Sequence, residues 1–325
     1  MRKGKRWLAA AVSAAMIVQS LASVGPVYAA DDGVSIADTF TDSSFRSYVS
    51  SNFDTDSNGY LSDAEISNVT SIDVSKCSPA ISSLNGVELF TNLSKLDCNE
   101  QSIRNLDIEN LENLEYIDVS SNRIDSLTLP VSAEKLTYLD ISGNKITSLT
   151  SLADYNNLVL LNANSTNLSS IDVSNMKGLK VLGVSGTTIS TLDLGSNMEL
   201  TTLYCDSMRS LPVLDVSGHE KLKNLYCAGA KSDSGVVVRS SITKLDVSGD
   251  IVLGSLDCSN SYVAELNIDN TPALTTLDCS NTRLTSIDVS KNTSLSYLDV
   301  SSNVLGAVDF TANTALRELY VKDTG

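Results

Sequence analysis

The stretch DTDSNGYLSDAE, residues 54–65, gathers oxygen donors at a fixed spacing. Asp54, Asp56 and Asn58 fill positions 1, 3 and 5 of a twelve-residue frame. Gly59 fills position 6, where the backbone must turn sharply. Tyr60 at position 7 offers its main-chain carbonyl, Ser62 at position 9 acts directly or through water, and Glu65 at position 12 brings a bidentate carboxylate. A crowd of hard oxygens wrapped around one point is what Ca2+ requires, and this is the ligand order of the EF-hand loop. With three charged ligands and no second loop in the sequence, the expected affinity is weak to moderate. The alternative is an acidic surface turn that binds nothing.

Such a loop needs a helix on each side. Residues 42–53, DSSFRSYVSSNF, set Phe45, Tyr48, Val49 and Phe53 at helical spacing, with Asp42 as N-cap. Ser62 and Glu65 form a capping-box pattern for a short exiting helix. Residues 40–68 therefore read as a small helical cap, and the polar residues 30–39 before it as a flexible acidic terminus.

From 69 to 325 the chain repeats itself. Leucines open successive turns at 93, 114, 136, 158, 179, 200, 222, 253, 274, 295 and 316, giving about eleven turns of 21–22 residues. Val69, Ile72 and Val74 read as the convex half of a preceding repeat. The single long spacing hides an insertion at 228–241, in which Val236–Val238 could add a small strand or simply sit in a tolerated surface loop. Each turn begins LxxLxVxx and most continue with a polar residue: Asn122, Asn144, Thr166, Thr187, Ser261, Thr282 or Asn303. Such side chains can bond the backbone of the adjacent turn, so Met208 and Ala230 at that place predict weaker rungs. The fold expected is an α/β solenoid with a concave parallel β-sheet.

Residues 1–29 have the form of a secretory signal peptide: basic Arg2, Lys3, Lys5 and Arg6, an apolar run from Trp7 to Val18, and a small-residue cleavage site ending at Ala29. Its removal takes the net charge from −16 to −20, which disfavours nucleic acid as a ligand. Secretion would permit disulfides, yet Cys98, Cys205, Cys227, Cys258 and Cys279 all fall at one inward place of the repeat. Side chains stacked on parallel strands stay about 4.8 Å apart, which is wide for a disulfide, so these read as buried thiols. Cys77 has no evident partner.

Alternation along a strand points two columns out of the concave sheet. One runs Lys95, Tyr116, Tyr138, Leu160, Val181, Thr202, Asn224, Ser255, Thr276, Tyr297, Glu318. The other runs Asp97, Asp118, Asp140, Asn162, Gly183, Tyr204, Tyr226, Asp257, Asp278, Asp299, Tyr320. The face is thus acidic and carries Tyr116, Tyr138, Tyr204, Tyr226, Tyr297 and Tyr320 as candidate ligand-binding residues, because tyrosine joins apolar area to a polar tip. The aspartates Asp172, Asp193, Asp215, Asp246 and Asp288 follow the convex side and read as structural. His219, the lone histidine, is expected in solvent, and no nucleophile–base or zinc spacing argues for an enzyme.

The rungs of the form LTSLDVSxNTxLxxLDCSxN resemble secreted and surface leucine-rich repeat proteins of Gram-positive bacteria, internalins among them, and NFDTDSNGYLSDAEISNVTSIDVS resembles their EF-hand-like N-terminal cap. The resemblance implies a curved solenoid that is secreted or displayed on the cell surface. It implies adhesion or protein binding, with a partner on a host or neighbouring cell, rather than catalysis. Glycan or wall polymer stacked on the tyrosines is the alternative. No C-terminal cap follows the last repeat, so either the sequence is a fragment or a partner or second copy covers that end.

Overall fold

The computed structural model describes residues 33–149, 152, 154–231 and 236–324, so the signal-peptide segment and the tip of the insertion lie outside the described residues. Residues 33–325 cluster as one compact unit. Its spine is a twelve-stranded parallel sheet of three-residue strands, from Ser71–Asp73 at one edge, through Lys95–Asp97, Tyr116–Asp118 and each later rung, to Glu318–Tyr320 at the other. Pairing is in register throughout, with Leu96 beside Ile117, Leu203 beside Leu225 and Leu277 beside Leu298. Register is fixed because every middle residue but Leu319 is buried, and a one-residue slip would expose the whole row.

The strand Ser71–Asp73 corrects the sequence reading of that segment. Val69, Ile72 and Val74 are spaced as Leu93, Leu96 and Cys98 are, and they build a concave strand rather than a convex half. On the convex side short strands pair only locally, as Asn105–Asp107 with Ser126–Thr128 and Val213–Asp215 with Lys244–Asp246. The convex aspartates act in turns: Asp172, Asp193, Asp215, Asp246 and Asp288 each accept from the N–H two residues on.

The interior stacks leucine, isoleucine, valine and the five repeat cysteines, all with negligible exposure. No described cysteine is in a disulfide. Burial pushes the Cys205, Cys227 and Cys258 thiols far up, so they behave as small inert hydrophobes.

Asparagine and threonine close the bend differently. The Asn144 amide donates to Val119 O at 2.9 Å and Ile141 O at 3.0 Å, while its Oδ1 accepts from Ile124 N. It thus ties its own turn to the one before. Thr166 Oγ1 reaches only Ala163 O, three residues back in its own turn. Removing Asn144 leaves several buried groups unpaired. Asn144→Ala is expected to cost about 3 kcal/mol in urea unfolding, and Thr166→Ala about 1 kcal/mol. Equal losses would contradict the bridging role.

The two rungs expected to be weak fill the ladder place in other ways. Met208 is fully buried, with Sδ 3.8 Å from Thr187 Oγ1. Ala230 is not the ladder residue of its turn: it joins Val237–Val238 in an antiparallel hairpin, and the chain re-enters the ladder at buried Ser240, bridged to Ser261. Arg239 clamps the hairpin base by donating to the carbonyls of Ser261 and Asn281.

At the N-terminal end the helices Ser43–Asn52 and Asp63–Asn68 cover the edge of the sheet. Phe40, Phe45, Phe53 and Phe90 pack ring to ring, with centroids 5.4–6.0 Å apart. Asp42 caps the first helix through Ser44 N and Phe45 N, and its other oxygen accepts from Ser82 in the solenoid. The Tyr48 hydroxyl accepts the edge N–H of Asp73. The segment expected to be flexible is ordered from Val34 on. Val34–Ser35 pairs with Tyr60–Leu61, and Ile36–Thr39 forms a helical turn with Ile36 in the core. A two-residue strand has no periodicity to read, so its partner is visible only once folded.

Candidate functional site

The loop after the first long helix is drawn in around its own carboxylates. Asp54 Oδ1 accepts from Asn58 N at 3.1 Å and Oδ2 from Gly59 N at 3.0 Å. Asp56 Oδ1 accepts from Asn58 N, and Asn58 Oδ1 from Tyr60 N at 2.7 Å. Gly59 has φ +87°, a left-handed conformation that costs a side-chain-bearing residue energy. The predicted position-12 carboxylate is the most heavily bonded group. Glu65 Oε1 accepts from Thr55 N and Thr55 Oγ1, both at 2.6 Å, and Oε2 from Ser62 N and Ser62 Oγ, both at 2.9 Å. The Thr55 hydroxyl leads the interactions that bring Glu65 down to about 2.

Asp54, Asp56 and Glu65 each present a carboxylate oxygen, all within 4.8 Å of one another. Ca2+ binds oxygen at about 2.3–2.6 Å, so oxygens around one ion span no more than about 5 Å, and these three fit. Asp54 and Glu65 are buried, whereas Asp56, Asn58, Tyr60 and Ser62 are exposed. The Ser62 hydroxyl is engaged in the capping box with Glu65. A cavity of about 460 Å³ lined by Phe53, Asp56, Glu65 and Val69 opens beside the loop. Thr55, the donor that orients Glu65, was not singled out in the sequence because position 2 of the loop carries no ligand.

The concave face departs from its expected layout. Asp97, Asp118 and Asp140 are only 8–9% exposed. Each bonds the residue two further on: Asp97 through the Asn99 amide, Asp118 and Asp140 through the hydroxyls of Ser120 and Ser142. At this end the acidic column is packed structure, whereas Asp257, Asp278 and Asp299 are half-buried. Side chains in register on parallel strands crowd one another, and the turn residues close over them. The tyrosines lie where expected. Tyr116 and Tyr138 stack 4.2 Å apart, and Tyr204 and Tyr226 stack 4.9 Å apart at 5°. Tyr297 and Tyr320 are tilted at 43°. Tyr204, Tyr226 and Tyr320 are the exposed members of the six.

His219 is not in solvent. It is buried, with Nδ1 2.7 Å from Val216 O and Nε2 3.2 Å from Leu194 O. It belongs to a second polar column, three residues before each first leucine: Asn197, His219, Asp250, Thr271, Asn292 and Asn313, all buried. The offset is visible in the sequence, but its earlier half is Phe90, Leu111, Ala133, Tyr155 and Met176, which hides the polar run among core residues.

Leucine-rich repeat family models match residues 112–154, as two copies, and 291–309. No curated protein matches the chain. Among solved structures, an internalin, InlF, from Listeria monocytogenes matches at 17% identity and TM-score 0.56, covering 88% of this chain and 97% of that one. YopM, a leucine-rich effector protein from Yersinia pestis, matches at 20% and 0.57, covering 71% and 61%. A leucine-rich repeat protein of Leptospira interrogans matches at 16% and 0.51, covering 72% and 68%. The in-register parallel sheet, the leucine rungs and these matches give the chain the leucine-rich repeat fold, with an internalin among its structural neighbours.

Proposed function

We propose that this chain is a secreted protein-binding module, with the concave sheet as its binding face and a calcium ion holding its N-terminal cap. The observation that carries the reading is the pair Tyr204 and Tyr226, flat against each other and 37% and 42% exposed on an otherwise half-covered sheet. A monomer that needed them only for packing would cover them, and tyrosine is the side chain that interfaces favour. The signal-peptide pattern at 1–29 supports export, and the oxygen geometry of Asp54, Asp56 and Glu65 supports calcium. The partner expected is a protein on a host or neighbouring cell.

The test is capture of surface proteins by the whole mature chain, run beside a glycan array. Wild type is expected to retain a protein, and Tyr204→Ala with Tyr226→Ala to weaken its binding at least about tenfold, as loss of a central aromatic anchor does. Undiminished binding by the double variant overturns the assignment of the face. Capture of glycans alone overturns the assignment of the partner.

A further inference from the structure

The concave sheet carries one constellation twice, and only the first copy includes a lysine. Lys95 lies beside Tyr116 in the register, and Asp73, Asp97 and Asp118 align on three successive strands. The Lys95 ammonium is 3.9 Å from Asp73 Oδ2, 3.7 Å from Asp97 Oδ2 and 5.2 Å from the centre of the Tyr116 ring. Carboxylates and an aromatic face thus share one cation, an arrangement in which each contact strengthens the case for the same charge.

The same frame recurs near the other end. Thr276 lies beside Tyr297, and Asp257, Asp278 and Asp299 align on three successive strands. Threonine stands where the first copy has lysine. Among the described residues none of these three acids forms an ion pair: Lys291 pairs with Asp269 and the Arg283 guanidinium lies over the Tyr262 ring. Burial first, and then Asp257 and Asp299, push the Asp278 carboxyl up against the bonds from Ser280 that lower it. Glu318, beside Tyr297 on the next strand, adds a fourth carboxylate. All four main residues are half-buried, so the frame is open to a ligand.

The geometry points to a site for the ammonium of a lysine side chain carried by a protein partner, seated among Asp257, Asp278 and Asp299 against the face of Tyr297. It rests on the concave sheet being the binding face, and it narrows the partner to one with an exposed basic segment. The strongly negative chain would also draw such a segment in.

The probe is an end-blocked tetralysine peptide titrated into the whole mature chain at low salt, with a peptide acetylated on every Nζ as control. Tetralysine is expected to bind at one site and the acetylated peptide not at all. Thr276→Lys, which gives the second frame the lysine of the first, and Asp278→Asn are each expected to weaken binding about tenfold. Asp288→Asn on the convex side should leave it unchanged. Circular dichroism of each variant confirms the fold. Tetralysine bound equally by Thr276→Lys and wild type, or acetylated peptide bound as tightly as free, overturns the site. A protein captured through Tyr204 and Tyr226 that is indifferent to Thr276→Lys overturns the lysine site and leaves the binding face standing.

Discussion

Asp250→Asn is expected to stabilise the solenoid at neutral pH. Asp250 has no exposed surface. Its Oδ1 accepts from His219 N at 2.8 Å, and its Oδ2 has no partner. The equivalent place holds Thr271 in the next turn and asparagine in the two after it. Asn292 donates to Ile268 O and Thr271 O, and Asn313 to Val289 O and Asn292 O. The column is therefore built for an N–H donor aimed at carbonyls of the preceding turn. A carboxylate there offers only oxygen, and burial, with Asp246 and Asp215 nearby, pushes the group up to about 8. A carboxyl raised in the folded state stabilises folding fully below its unfolded value and loses that contribution as pH rises through about 8. The slope is at most about 1.4 kcal/mol per pH unit between about 4 and 8. Asn keeps the shape, supplies the donor and does not titrate. The difference in urea midpoint between variant and wild type should be small at pH 4, grow steadily, and reach on the order of 3 kcal/mol by pH 8. Parallel curves for the two proteins would show that Asp250 titrates normally.

Glu65→Gln should weaken the cap and, on the calcium reading, the ion's binding together. The amide has one acceptor oxygen, so two of the four donors from Thr55 and Ser62 lose their partner and an N–H2 group faces donors instead. Breaking the capping box and its charge-assisted bonds is expected to cost about 2–3 kcal/mol without calcium. In calorimetric titration, wild type should give a calcium heat that the variant loses. Absence of heat in wild type would sink the calcium centre and leave the stability prediction untouched. The pH sign is opposite to that of Asp250. Glu65 is lowered to about 2, so its contribution is present above about 4.5 and vanishes as pH falls through 2.

The sequence by itself determined the solenoid, because leucine at a fixed offset leaves one way to bury a continuous row, and period-two alternation then sets which residues face out. It also determined the loop frame from Asp54 to Glu65, since ligand order there is local. The columns were legible, but not their exposure. Asp97 and Asp278 occupy the same place in the repeat, yet one is sealed and the other half-open. The Asn99 amide closes over the first, whereas the second is held by the Ser280 N–H. Tertiary structure alone placed His219 and Asp250 in the interior, put Ser240 rather than Ala230 in the ladder, and paired Val34–Ser35 with Tyr60–Leu61. In each case the partner lies some twenty or more residues away, on another turn or across the cap. A repeat period records what every turn shares. Contacts between particular turns depend on the residues that break it.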